Sequence, residues 1–321
     1  MNIPAKETIE KIKQWATKND DIVYALIAGS HGRSEKQSDE YSDIDIIMVS
    51  EKAAHYQNTS DWIAEIGESV LYFEDRVSGG IPTKRVYFPN GVGMDIFFVS
   101  KKTVARAYRF ARAKENKKIL FRLIPPSVKR KLERYMNLFS YLIYRGYLSL
   151  VDKGNYAQKV ACLERVFKYK KESNFRLNEA GVIANKFWYK ALHVAVKLHR
   201  RELFTAKVDA SDTISLLLTL IEMHTKVKKG KDFETWHRGR YIEEWADPFI
   251  AEKLNGVFGS YDMAASWKSL FNTMDLFSEI VASIVNERKD VHFLNPEPYV
   301  RKWIEDIYAK ANVGSISQPL L

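Results

Sequence analysis

The sequence predicts an α+β protein, with an N-terminal α/β domain on a mixed sheet followed by an all-helical C-terminal domain. Three observations predict it. Apolar runs of strand length, at residues 22–27, 43–49, 70–73, 84–88 and 94–99, are confined to the first hundred residues. Two or three helical patterns are interleaved with them, as in a compact α/β unit. From Lys101 onward, three- and four-residue apolar spacing runs almost without interruption, and Pro125-Pro126 is its clearest break. The domain boundary is therefore expected between Ser100 and Pro125. The domains are expected at 1–110 and 111–312, with a disordered Gly/Ser/Pro-containing tail at 313–321.

Taken in order, the chain opens on a helix over 4–18, where Thr8, Ile9, Ile12, Trp15 and Ala16 follow helical spacing. The strand 22–27 comes next, then a Gly29-Ser30 turn and the strand 43–49. Ser60-Asp61 can cap a short helix through Trp62, Ile63 and Ile66 that ends near Gly67. A third strand is expected over 70–73, and Gly79-Gly80 marks a loop. The runs 84–88 and 94–99 around Pro89-Asn90-Gly91 read as a hairpin. Helices are expected over 128–151, 156–170, 178–201, 212–226, 248–257, 263–287 and 298–311. In the longest, Met263, Trp267, Leu270, Met274, Phe277, Val281 and Ile284 form a core-facing stripe.

At 321 residues the chain is long enough for two cored domains, and 46% hydrophobic with 28% charged residues is ordinary for a globular protein. A single cysteine, Cys162, excludes an intrachain disulfide and suits a reducing compartment. The first residues carry no signal-peptide core, and the longest apolar run, around 214–221, is too short to span a bilayer. A cytoplasmic protein with no membrane partner is expected. The net charge of +10 and a pI near 9.3 favour anionic partners such as nucleotides. The basic residues fall in short clusters without an RNA-binding signature, so nucleic acid is not the expected substrate. There is no H-E-x-x-H, no Gly-x-Ser-x-Gly, no Walker-type loop and no dinucleotide fingerprint.

Residues 28–49 carry the chemistry. Gly29-Ser30 directly follows an apolar strand, where backbone N–H groups and a hydroxyl can approach phosphate oxygens. On the next strand, a period of two puts Asp43 and Asp45 on one face and Ile44, Ile46 and Met48 on the other. The apolar face is expected to pack on helices. The two carboxylates on the opposite face cost free energy unless a cation sits between them, and Mg²⁺ takes such oxygen ligands together with substrate phosphates. A third carboxylate, Asp95, lies in the later run 94–99.

Strand, Gly-Ser, polar loop and Asp-x-Asp strand together resemble the signature of the nucleotidyltransferase superfamily. More specifically, Gly29-Ser30 followed by Asp39-Glu40-Tyr41-x-Asp43-x-Asp45 is similar to the aminoglycoside 6-adenylyltransferases, the streptomycin adenylyltransferases. Met94-Asp95-Ile96 is similar to that family's third-carboxylate strand. Asn185-Lys186-Phe187-Trp188, with Arg200 and Glu202 after it, resembles the family's Asn-Glu-Phe-Trp segment. Residues from roughly 104 to 176 match poorly. The lincosamide adenylyltransferases, a related group with a similar two-domain plan, fit almost as well.

The resemblance implies a nucleotidyltransferase-type N-terminal domain and transfer of AMP from ATP to a hydroxyl of a small acceptor. Asp43 and Asp45 would hold two Mg²⁺ on the triphosphate, and Gly29 and Ser30 would grip its terminal phosphates, with Arg33 or Lys36 as cationic helpers. Asp95 would ligate the catalytic metal and take the acceptor's proton. Glu40, Asn185, Lys186 and Trp188 are the expected acceptor residues. Lys186 stands where the family carries a carboxylate, which disfavours a polycationic acceptor. Nucleotidyl transfer to protein or RNA, and nucleotide binding without chemistry, are the alternatives from other classes.

Overall fold

The structure, a computed structural model, describes residues 3–77, 81–116, 124–169, 180–289 and 295–314. The chain divides into two units, Met1–Lys171 and Glu172–Leu321. The first is α/β and the second helical, so the α+β class stands.

The first unit runs α1 (Ile3–Lys18), β1 (Ile22–Ala28), α2 (Gly29–Gly32), β2 (Ile44–Ser50), α3 (Ala53–Asn58), α4 (Ile63–Ile66), β3 (Leu71–Val77), β4 (Ile81–Tyr87), β5 (Gly93–Ser100), α5 (Lys101–Glu115), α6 (Pro126–Ile143), β6 (Leu148–Asp152) and α7 (Tyr156–Val166). The strands make one sheet in the order β3-β4-β5-β2-β1-β6. β2 and β5 are parallel, and every other neighbouring pair is antiparallel. The expected hairpin is β4–β5, with Phe88 and Val92 closing its loop by a backbone hydrogen bond of 3.0 Å.

Both faces of the sheet are covered, the apolar face of β2 by helices as expected and the opposite one as well. On one side, Ile44, Ile46, Met48, Met94, Ile96 and Phe98 meet Ile12 and Trp15 of α1, Tyr56 of α3, Ile63 of α4 and Trp62 just before it. Trp15, Tyr56, Trp62 and Phe98 form an aromatic cluster there, in which Trp62 Nε1 donates to the Tyr56 and Thr59 carbonyls. On the other side, Leu26, Ile47, Val49 and Phe97 pack against Val104 of α5, Ile143 of α6 and Tyr156 and Val160 of α7. These three helices also pack on one another through Phe110, Ala111, Met136, Leu163 and Phe167.

That second layer moves the boundary. The first unit ends at Lys171, well past the break expected between Ser100 and Pro125, because α5–α7 cover one face of the sheet and β6 supplies its edge. The helix expected over 128–151 stops at Ile143. Gly146, at φ +119°, turns the chain against the Gly32 carbonyl, and residues 148–152 pair antiparallel with β1. The Asp152 carboxylate then accepts from the backbone N–H groups of Gly154, Tyr156 and Ala157, starting α7.

The second unit comprises α8 (Ala180–His199), α9 (Leu203–Lys229), α10 (Ile242–Trp245), α11 (Pro248–Lys253), α12 (Met263–Glu287) and α13 (Glu297–Gly314). The stripe on α12 is core-facing: Trp267, Leu270, Met274, Phe277 and Ile284 are buried, with Met263 and Val281 packed beside them. Phe187 stacks on Phe277 at 3.7 Å between centroids. The helix expected at 212–226 begins earlier, at Leu203. Residues 313 and 314 close α13; Gly79-Gly80 and the rest of the tail, 315–321, lie outside the described residues. Among the described residues, no helix is long and apolar enough to cross a membrane.

Candidate active site

Strand register places the chemistry. Asp45 of β2 pairs with Asp95 of β5, Arg85 of β4 pairs with Asp95, and Ala28 of β1 pairs with Asp45. Register partners point to the same face, so Ala28, Asp45, Asp95 and Arg85 form one rung across four adjacent strands. Asp43 lies two residues before Asp45 and shares that face. One carboxylate oxygen from each of Asp43, Asp45 and Asp95 lies within 4.8 Å of the others. The set grades from exposed Asp43 through half-buried Asp45 to buried Asp95. It sits just beyond Ile47 and Phe97, where the cover of α5–α7 is packed.

At the end of β1 the backbone turns at Gly29, with φ +63°. A Cβ there would lie 1.9 Å from Asp45 Oδ2, so conformation and space both demand glycine. Gly29→Ala is expected to displace the Asp45 carboxylate and reduce kcat/KM by more than about tenfold, with a stability loss of about 1–2 kcal/mol from the left-handed backbone. Steady-state kinetics and a thermal melt check this, and wild-type values in both would contradict the packing of Gly29 on Asp45. The next residue, Ser30, has a buried hydroxyl with no hydrogen-bond partner among the described residues.

The loop from α2 to β2 is held by its own polar groups. Ser38 N–H donates to the Ser30 carbonyl, and Arg33 Nε donates to the Lys36 carbonyl at 2.6 Å. Lys36 is exposed and takes φ +47°. Asp39 accepts from the Tyr41 N–H and the Ser42 hydroxyl, and its carboxyl is held below the usual range chiefly by the Ser42 bond. Buried His31 reaches the Ser42 carbonyl through Nε2 at 3.3 Å, and burial lowers its pKa. Asp39 is thus a loop-building residue that fixes the approach to Asp43. Glu40, expected to meet the acceptor, is exposed on this loop.

Asp95 is electrostatically loaded. Burial, first of all, pushes its carboxyl up to about 6; Arg85 opposes this, while Asp43 and Asp75 add to it. Arg85 Nη2 lies 3.6 Å from Asp95 Oδ2, and its Nε lies 3.1 Å from Asp75 Oδ2. Three convergent carboxylates with a remaining excess of negative charge fit a hard divalent cation, whose ligands are oxygens. Arg85 and Asp75 escaped the sequence reading, although the β4–β5 hairpin register carried the signal for Arg85.

A pH dependence follows. Since folding raises the Asp95 pKa from 3.8, its protonated form stabilises the native state fully below about 3.8, and this contribution is lost as pH rises through about 6. In metal-free buffer, the melting temperature of the protein relative to its Asp95→Asn variant is expected to fall across this window. Saturating Mg²⁺ at pH 7.5 should recover the loss in the wild type and not in the variant. Parallel pH curves would contradict the loaded state of Asp95.

The remaining expected site residues lie on α8 in the second unit. Asn185 and Lys186 are exposed, Asn185 donating to the Gly181 carbonyl. Trp188 is 1% exposed and packs edge-on against Phe187 and Phe277, beneath the Arg301 guanidinium. A substrate contact is thereby replaced by a core role, since the helix buries that position.

The family model described as streptomycin adenylyltransferase matches residues 4–307. None of the curated proteins matches. Among solved structures, an aminoglycoside 6-adenyltransferase from Bacillus subtilis is 15% identical, with a TM-score of 0.41, covering 94% of this chain and 97% of that one. A nucleotidyltransferase-like protein from Exiguobacterium sibiricum 255-15 is 10% identical, with a TM-score of 0.34, covering 88% of this chain and 77% of that one.

Proposed function

This chain belongs to the streptomycin adenylyltransferase family and is an adenylyltransferase, and on that premise we propose that it transfers AMP from ATP to a hydroxyl of a small, antibiotic-type acceptor and releases pyrophosphate. The observation that carries this reading is the convergence of Asp43, Asp45 and Asp95 within 4.8 Å, beside a glycine in left-handed backbone packed on the Asp45 carboxylate.

Each group has a task suited to its place. The turn at Gly29 and the unpartnered Ser30 hydroxyl receive the terminal phosphates, with Arg33 and Lys36 adding positive charge. Asp43, Asp45 and Asp95 are the residues that would hold Mg²⁺. When bound, the metal neutralises charge on the attacking and leaving oxygens of an in-line displacement. Asp95, buried and charge-loaded, takes the proton of the acceptor hydroxyl as its oxygen attacks the α-phosphorus. Arg85, itself held by Asp75, fixes the Asp95 carboxylate on the side away from Asp45.

An aminoglycoside-type acceptor is the family's own reading. Lys186, standing where the family pattern carries a carboxylate, favours a second one, a lincosamide-type or other acceptor of low positive charge. A pyrophosphate-release screen with Mg²⁺ and ATP against aminoglycosides, lincosamides and uncharged hydroxylated compounds tests both. Release that depends on one of these acceptors is expected. Salt-sensitive release that requires protein or RNA instead would replace the small-molecule reading.

A further inference from the structure

Beyond Asp95, the carboxylate face of the sheet continues across β4 to the edge strand β3, and its character changes from acidic to apolar. Tyr87 pairs with Leu71 and Arg85 with Phe73, so all four side chains share the face of Asp45 and Asp95. The Tyr87 ring lies over Gly93, two residues before Asp95. A Cβ at Gly93 would stand 2.7 Å from Tyr87 Cζ, so the glycine is what lets the ring lie across the sheet toward the carboxylates. Leu71, Phe73 and Tyr87 are 47%, 48% and 45% exposed. A contiguous apolar shelf on a sheet edge is a liability unless something binds it.

The direction of the reaction says what binds. In-line displacement brings the attacking oxygen in opposite the leaving pyrophosphate. On the proposed adenylyl-transfer reading, on which this inference rests, the pyrophosphate lies at Gly29 and Ser30, on the β1 side of Asp45. The acceptor therefore reaches Asp95 from the opposite side of the rung, the side of β4 and β3. The only cation among the groups named along that approach leaves a carboxylate in excess beside the acidic set. Arg85 is shared between Asp75 and Asp95, and none of Leu71, Phe73 and Tyr87 carries a charge. The apolar part of such a surface offers stacking to the C–H-rich face of a ring.

We infer that Tyr87, Phe73 and Leu71 form the acceptor subsite, which takes a hydroxylated molecule presenting a flat, C–H-rich ring face. The test measures AMP transfer by the full chain to three probes: polycationic streptomycin, singly charged lincomycin and neutral methyl glucoside. The wild type is compared with Tyr87→Ala, Tyr87→Phe and Phe73→Ala, and ATP affinity is measured for each by calorimetry. Expected is transfer to at least one of the three, with acceptor KM raised about tenfold in Tyr87→Ala and Phe73→Ala, restored in Tyr87→Phe, and ATP affinity at the wild-type value throughout. Unchanged acceptor KM in both alanine variants of an active enzyme overturns the subsite and leaves adenylyl transfer standing. Transfer to none of the three overturns the subsite's acceptor class, and adenylyl transfer itself falls only if the wider acceptor screen also releases no pyrophosphate.

Discussion

Replacing Asp43 or Asp45 by Asn is expected to lower turnover by at least about 10²-fold, comparable to removing one preorganised stabilising group from other active sites. The fold has little reason to suffer. Asp43 is exposed and precedes β2, and the Asp45 backbone is held in the sheet between β1 and β5 whatever its side chain. Asn preserves shape and removes the charge that a divalent cation requires. The loss should therefore appear in kcat at saturating ATP and Mg²⁺, with the melting temperature near or above that of the metal-free wild type. Near-normal turnover in either variant, with Mg²⁺ saturating, would remove that residue from the metal site.

Asp95→Asn should separate binding from chemistry. If Asp95 takes the acceptor's proton, its variant still binds ATP through Gly29, Ser30, Asp43 and Asp45, while the single-turnover rate collapses by about 10²-fold or more. The substitution also relieves a buried charge that Asp43 and Asp75 oppose, and Arg85 keeps Asp75 as its partner. Loss of activity thus cannot be ascribed to unfolding when stability is held or improved. Calorimetric ATP binding and a rapid-quench single turnover measure the two halves. An unchanged single-turnover rate would reduce Asp95 to a strand residue with no part in the reaction.

The site was more legible than the architecture around it. Asp43, Asp45, Gly29 and Ser30 stand within one short stretch, where a period of two and a strand-terminal glycine carry physical meaning by themselves. Asp95 could be found because a turn-bounded apolar run marks a strand, but its partnership with Arg85 needed the register across β4 and β5. By contrast, the run 148–152 continues the apolar spacing of α6, and only Gly146 signals the break that turns it into β6. Helical periodicity likewise cannot say what a helix covers, so a boundary near residue 110 leaves α6 and α7 with the helical domain, away from the sheet whose face they bury. Trp188 illustrates the same limit at one residue. On a helix, an aromatic in a family-like motif reads equally well as ligand platform or core, and packing on Phe187 and Phe277 decides for the core. Asp39 belonged to the recognisable pattern, yet its work is local, holding the loop through Ser42 and Tyr41.

The central claim, attack at the α-phosphorus directed by the Asp43–Asp45–Asp95 set, is tested most directly by following two labels. The protein is incubated with Mg²⁺, a responsive acceptor and ATP labelled either at the α- or at the γ-phosphorus. The α-label is expected in the acceptor product and the γ-label in pyrophosphate, with both signals lost in Asp95→Asn. Appearance of the γ-label in the acceptor, or persistence of α-label transfer in the variant, would contradict it.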